Sequence, residues 1–447
     1  MNNSVLEQTH FFLRPLLIIN NLHFLFSFFV VILLDSAPYS KIKLRNIEIT
    51  IIYRIMVCHQ VINSVFWCFI LLVVMLTFFT TNASSTEKTK IEDKEMNVID
   101  QCWRFNPKWR KHRQQLTVCS VGYVGKMTNN IGKDLIHYTV TDPRDHPLNP
   151  APGTLRYEAS RIQGKVWITL KRNMNIKLVR PLLISSFTTI DGRGVDVHIA
   201  DNACLMIYKA TNIIIHRIRV HHCRPQAPGM MMGPDGKIIS LGQVDGGAIR
   251  LVSASEIWID HNTLYNCQDG LLDVTRGSTD ITISNNWFRE QNKVMLLGHD
   301  DEFVRDKNMK VTVVYNYFGP NCHQRMPRIR HGYAHVANNL YMGWVQYAIG
   351  GSMESSLKSQ SNLFIAHATG KKEVTWRKSS NGIGDTWKFY SVGDAFENGA
   401  SFVETKGGQV TKPNYSHEQN FKVVDAKYVR SLTSSSGVLQ CSKTSIC

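Results

Sequence analysis

One short pattern returns four times between residues 257 and 339: a run of alternating apolar residues closed by an asparagine. It reads Ile257-Trp258-Ile259-Asp260-His261-Asn262, Ile281-Thr282-Ile283-Ser284-Asn285-Asn286, Val311-Thr312-Val313-Val314-Tyr315-Asn316 and His335-Val336-Ala337-Asn338-Asn339. The closing asparagines lie 24, 30 and 23 residues apart. A period in that range marks units that stack on one another because none can bury its apolar face alone. Other β-branched runs (VWITL, FTTIDG, VHIA, NIIIHRIRV) continue the pattern back to about residue 166, with Gly, Asn and Asp between them. Strand-rich units without long amphipathic helices predict an all-β solenoid of parallel coils; a β-sandwich with similar turns is the alternative. A recurring turn asparagine has two physical reasons: it tolerates left-handed backbone, and its amide can bond the same residue one coil above.

The stretch from Asp245 to Arg330 carries the candidate chemistry. Asp269 and Asp273 sit in QDGLLDV, and Asp245 in VDGGAI lies 24 residues before Asp269, one repeat earlier. Stacked coils would bring three carboxylates to neighbouring levels of one face. Converging acids repel unless a cation joins them, and Ca²⁺ takes carboxylate oxygens. The bland reading makes Asp245 and Asp269 turn residues beside glycine. Arg325 and Arg330 flank Pro327 in RMPRIR, and Lys293 lies in NKVMLLGH. Proline stiffens that frame, and guanidinium forks match carboxylates; the alternative for each cation is a solvated surface charge. His221-His222-Cys223 lacks a metal-ligand partner at a usual spacing and reads as a strand end with Cys223 buried or bridged. Asp260-His261 resembles an acid–base pair, but neighbours on a strand face opposite ways, which favours a structural role.

The flanks read differently. Residues 11–34 and 65–79 are apolar, with Lys41, Lys43, Arg45 and Arg54 between them. The second run ends at small residues, as a secretory signal does. The expected layout is an upstream extension or anchor over 1–55, a signal peptide over 56–83, a linker over 84–101 and one folded domain over 102–447. A true membrane anchor is the alternative. Ten cysteines without a CxxC pair argue against zinc-ribbon and thioredoxin chemistry, and the short spans Cys102 to Cys119 and Cys441 to Cys447 suit staples in an oxidising compartment. Pairing does not follow from spacing. From about 371 the chain reads as irregular, packing along the solenoid and covering its end.

Charge narrows the partners. The chain carries +16, and without residues 1–83 it still has 46 basic against 32 acidic residues. Such a surface attracts polyanions: nucleic acid, acidic glycan or a membrane.

VDGGAI, IWIDHN, DGLLDV, KVMLLGHDD, QRMPRIRHG and YAIGGS, in this order, resemble the plant pectate lyases and related pollen allergens of polysaccharide lyase family 1. The likeness runs from about Cys102 to the C-terminus. It implies a single-stranded right-handed parallel β-helix with irregular N- and C-terminal extensions. It implies a secreted, monomeric enzyme of the cell wall that binds Ca²⁺ and cleaves polygalacturonate (pectate) by β-elimination, with no nucleic-acid partner. By resemblance Asp245, Asp269 and Asp273 are the calcium ligands and Arg325 the base, while Lys293 and Arg330 hold uronate carboxylates. The bridges implied are Cys102–Cys119, Cys204–Cys223 and Cys441–Cys447, leaving Cys267 and Cys322 free. One position departs: the family reads DGD where this chain has Asp245-Gly246-Gly247, so a carboxylate is missing. That opens a second reading, a pectin-binding relative with weakened or lost chemistry. A calcium-free pectin lyase is a third, disfavoured by the retained acids. Asn414-Tyr415-Ser416 is a glycosylation sequon.

Overall fold

The computed structural model describes residue 70 and residues 96–378, 387–406, 409–441 and 447. Apart from residue 70, the extension expected over 1–55 and the signal peptide over 56–83 lie outside the described residues. Among the described residues no helix is long and apolar enough to cross a membrane.

Three parallel sheets of ten, nine and eight strands carry the unit Lys90–Cys447. From Leu182 onward each coil gives one strand to each sheet. Leu272–Thr275 joins the eight-stranded sheet, Thr279–Ser284 the ten-stranded and Trp287–Arg289 the nine-stranded. The next coil repeats the order with Met295–Leu297, Lys310–Val314 and Tyr317–Phe318. Parallel neighbours joined by such crossovers wind right-handed, and the result is a right-handed parallel β-helix.

The interior is filled by in-register columns. Ile213, Ile257, Ile281, Val311 and Ala334 stack along the ten-stranded sheet, all fully buried. Phe288, Phe318, Tyr341 and Phe364 stack along the nine-stranded sheet with ring centroids 4.4–5.1 Å apart. Sequence period becomes packing because every coil places the same side-chain class at the same level.

The asparagine ladder forms as expected and runs further. Asn286 Oδ1 accepts from the Asn262 backbone N–H (2.9 Å), and the same link joins Asn286 to Asn316, Asn316 to Asn339, Asn339 to Asn362 and Asn362 to Asp394 (2.7–2.9 Å). Each Nδ2 also donates to a main-chain oxygen one coil back, as Asn316 does to Ile283 (2.9 Å). One expectation is corrected. The left-handed residue is the one before each rung, namely His261, Asn285, Tyr315, Asn338, Ser361 and Gly393 (φ 50–68°). That residue turns the corner, and the rung itself is left to bond.

The coils also extend beyond the span expected. Ile136–Val140 already pairs with Val166–Leu170. Residues 371–397, expected to be irregular, supply strands Thr375–Arg377, Lys388–Val392 and Ala395–Glu397 of a further coil. The described end of the expected linker is ordered: Asn97 caps helix Val98–Trp103 and bonds Asn285 Oδ1 at 2.8 Å. Ile99 and Trp103, the N-terminal segment and the tail through Leu432 and Cys441 cover the outer face of the ten-stranded sheet, along the flank. Among the described residues three disulfides form, Cys102–Cys119, Cys204–Cys223 and Cys441–Cys447, with Cys267 and Cys322 free and buried.

Candidate functional site

The outward row of the eight-stranded sheet is where the candidate residues gather. Register places Arg250 beside Asp273, then Leu296, Arg328, Gly350 and Trp376, one per coil. Their strand neighbours Ile249, Leu272, Met295, Ile329 and Ile349 point inward and are buried, so alternation fixes which residues meet solvent or ligand.

Asp273 lies within its strand, whereas Asp245 and Asp269 lie on the loops entering strands Ile249–Val252 and Leu272–Thr275. Those loops stack: the Asp269 N–H donates to the Gly246 carbonyl (3.4 Å) and the Ala248 N–H to the Gly270 carbonyl (3.0 Å). Gly246 is held at φ 89°, with Arg224 and Pro225 backbone 2.9 Å from where a Cβ would stand, so only glycine fits. A Cβ on Gly270 would meet Asp273 Oδ1 at 2.7 Å. The glycines thus let the acid-bearing loops close on one another.

Electrostatics shows the convergence. Burial pushes the Asp273 carboxyl up to about 7, the Asp269 and Asp245 charges push it the same way, and Arg250 and Arg325 oppose them. All three acids and Arg325 therefore act on one point. Asp245 is held by Arg250 through two bonds of 3.2 and 3.1 Å, and Asp269 Oδ1 accepts from Lys293 Nζ at 2.9 Å. A groove of about 330 Å³ runs past Asp269 and Lys293.

The residues fit a hard cation by donor chemistry. They are carboxylates only, one of them buried and disfavoured as a lone anion. At Gly247 a Cβ would lie 3.9 Å from both Asp245 Oδ1 and Asp273 Oδ2. A side chain there would enter beside both carboxylates once the Gly270 carbonyl, 3.3 Å from that Cβ, gives by a few tenths of an ångström.

Arg325 sits at φ 63° in the turn before Arg328–Arg330, its carbonyl accepting from the Met295 N–H at 2.6 Å. Its positive charge acts on the buried Tyr347. Its Nε has no partner among the described residues. Arg328 stacks over Trp376 at 5.1 Å, and its guanidinium is pushed down first by burial and then by Arg330 and Arg325. Arg330 is anchored by Asp301 (3.1 Å) and by the Gly298 and His299 carbonyls. Asp301 also takes Lys378 (2.8 Å) and Ser352 (2.8 Å).

The structure adds Arg250, Asp301 and Tyr347, which sequence reasoning missed. Only the HDD run around Asp301 carried any signal. Two secondary readings are resolved. Cys223 is bridged, and His221 bonds His198 (2.8 Å) and His222 (2.7 Å). Asp260 and His261 do meet (2.6 Å), because the strand ends at Asp260 and His261 turns left-handed. The opposite-face expectation fails there, although the role is structural. Among the described residues, His216, Asp260 and His261 are also the one tight group of metal-ligating atoms. Both Nδ1 atoms engage Asp260, and His261 Nε2 lies 3.0 Å from Asp100, beneath Trp103.

A family model described as pectate lyase matches residues 175–441. "Probable pectate lyase 16" of Arabidopsis thaliana is 46% identical over 354 residues, 79% of this chain and 88% of that protein. "Pectate lyase 1" of Juniperus virginiana is 45% identical over 349 residues, 77% of this chain and 94% of that protein. The crystal structure of the major allergen from cedar pollen superposes with a TM-score of 0.74 at 44% identity, covering 77% of this chain and 99% of the allergen.

Proposed function

The chain belongs to the pectate lyase family and is a polysaccharide lyase; from that premise we propose that it is secreted to the cell wall and cleaves de-esterified (1→4)-α-D-galacturonan by calcium-dependent β-elimination. The carrying observation is the stacking of the Asp245 and Asp269 loops beside the buried Asp273, with the Cβ position of Gly247 3.9 Å from the Asp245 and Asp273 carboxylates alike.

In this reading Arg325 takes the C5 proton of the uronate, the C4–O bond to the leaving sugar breaks, the departing oxygen takes a proton from water, and a C4=C5 double bond remains. Lys293 and Arg330 hold uronate carboxylates, Arg330 from a frame set by Asp301. Asp245, Asp269 and Asp273 would hold the calcium, which when bound supplies positive charge to the carboxylate beside the carbanion-like centre. A free guanidinium hardly gives up its proton, so an arginine base calls for alkaline solution or neighbouring positive charge. The three disulfides suit an oxidising compartment.

Gly247 supports a second reading, a pectin-binding β-helix with weakened or lost chemistry. Ultraviolet absorbance of the unsaturated product separates the two. Polygalacturonate turned over with calcium, silenced by chelator and by Arg325→Ala, supports the lyase. A folded protein that binds the polymer without absorbance at any calcium level supports the second reading.

A further inference from the structure

A cleft of about 1020 Å³ lies away from the acid-bearing row, along the ten-stranded sheet, a different sheet of the solenoid. Its floor is one register row, Lys310–Tyr333–Ser356–Lys388, each residue the first of its strand in four successive coils. Rungs in such a sheet are spaced about 4.8 Å, so the row is a straight track on the order of 14 Å long. The segment around Thr411 forms the opposite wall. Tyr333 Oη donates to the Thr411 carbonyl at 2.8 Å, and Ser356 Oγ bonds Thr411 Oγ1 at 3.1 Å. Tyr123 Oη donates to Asn414 Oδ1 at 3.2 Å and closes one end.

The charge of this cleft is one-sided. Lys307, Lys310, Lys388, Lys406 and Lys412 line it, and all but Lys310 are exposed. Its one acid, Glu354, is neutralised by Lys307 at 2.7 Å. Lys412 faces the sheet closely enough that, after burial, its charge is what pushes the Lys358 ammonium down. Tyr333, partly exposed, adds aromatic surface between the cations, with Trp387 buried behind it. Like charges gathered on a track are costly without a counter-ion, and a flexible anionic polymer is the ligand that matches a row rather than a point.

We propose that this cleft is a second, non-catalytic binding site for a uronate polymer, holding the substrate chain apart from the acid-bearing row. The proposal rests on the reading that the substrate is an acidic galacturonan, and it adds to that reading a tether. Ammonium groups set along the coil axis would pair with successive carboxylates, and aromatic faces would pack against sugar rings.

The test is calorimetric titration of the full chain with polygalacturonate in chelator, in a Ser416→Ala background that removes the sequon but keeps Asn414. Lys388→Gln/Lys412→Gln should weaken binding by about tenfold and leave the calcium-dependent cleavage rate of trigalacturonate unchanged. Affinity equal to the parent protein overturns the proposal. So does equally tight, equally lysine-dependent binding of dextran sulfate, which would make the cleft a non-selective basic patch. A parent protein that forms no unsaturated product yet shows lysine-dependent binding would sink the lyase reading alone and leave the cleft standing.

Discussion

Arg250 stands beside Asp273 in the parallel register while its guanidinium holds Asp245 through two bonds of 3.2 and 3.1 Å. One cation therefore pairs with Asp245 and would compete with any metal for it. Asp245 is 43% exposed, so the pair is worth no more than about 1 kcal/mol. Arg250→Gln is expected to tighten calcium binding by up to about tenfold. Calorimetry showing weaker binding would mean Arg250 positions the acids and does not compete.

Gly247 is the second lever on the same site. Its backbone is not left-handed, and an added Cβ would meet the Gly270 carbonyl at 3.3 Å, a contact relieved by a shift of a few tenths of an ångström. Gly247→Asp should fold with a stability change within about 1 kcal/mol and bind calcium more tightly, since its carboxylate enters beside Asp245 and Asp273. An unchanged calorimetric affinity would count against the acid trio as the metal site.

Asn316 is a middle rung of the ladder. Its Oδ1 accepts from the Asn286 N–H and Nδ2, and its Nδ2 donates to Ile283 and Val314 carbonyls and to Asn339 Oδ1. Asn316→Ala would strand several buried groups at once and should cost about 2–4 kcal/mol. Denaturant titration would read this directly; a loss below about 1 kcal/mol would show that water repairs the ladder.

The ladder ends on a titratable rung. Burial pushes the Asp394 carboxyl up to about 6, against the bonds from Asn362 and from the Ser391 hydroxyl. A carboxyl raised on folding binds its proton better in the native state. Stability therefore falls as pH rises from about 4 to about 6 and is level above that. Asp394→Asn should remove this fall and gain on the order of 2 kcal/mol at neutral pH. Parallel melting-temperature profiles of variant and parent between those values would refute it.

His261 sets the alkaline limit. Burial opposes its charge, but Asp260 and Asp100 prevail and push it up to about 9. A histidine raised on folding contributes stability that is full below about 6.5 and is lost as pH climbs through about 9. His261→Gln should flatten the loss in that window. A parent profile without a decline there would show that His261 is neutral in the fold.

Periodicity carried most of the architecture. Asn262, Asn286, Asn316 and Asn339 were visible because a solenoid repeats one local solution at nearly fixed spacing. Asn362 and Asp394 escaped. The strand before the first, SLKSQS, is too polar to show alternation, and the second replaces the amide with a carboxylate after a longer insertion. The left-handed corner was assigned one residue late, because only backbone geometry separates the residue that turns from the one that bonds.

Sequence alone determined which side chains exist at each level of the coil: the apolar columns, the ladder, three acids on two neighbouring coils, and the arginines around Pro327. These are local or periodic properties, and a parallel stack copies them unchanged from coil to coil. Tertiary structure decided what those groups face. Arg250 reaches Asp245 and Asp273, Asp301 takes Arg330 from 29 residues away, and Lys310 and Lys388 fall on one track 78 residues apart. Such partners depend on how long each inserted loop is and where it folds back over the coils. Charge and burial at a site are sums over neighbours that spacing along the chain does not specify.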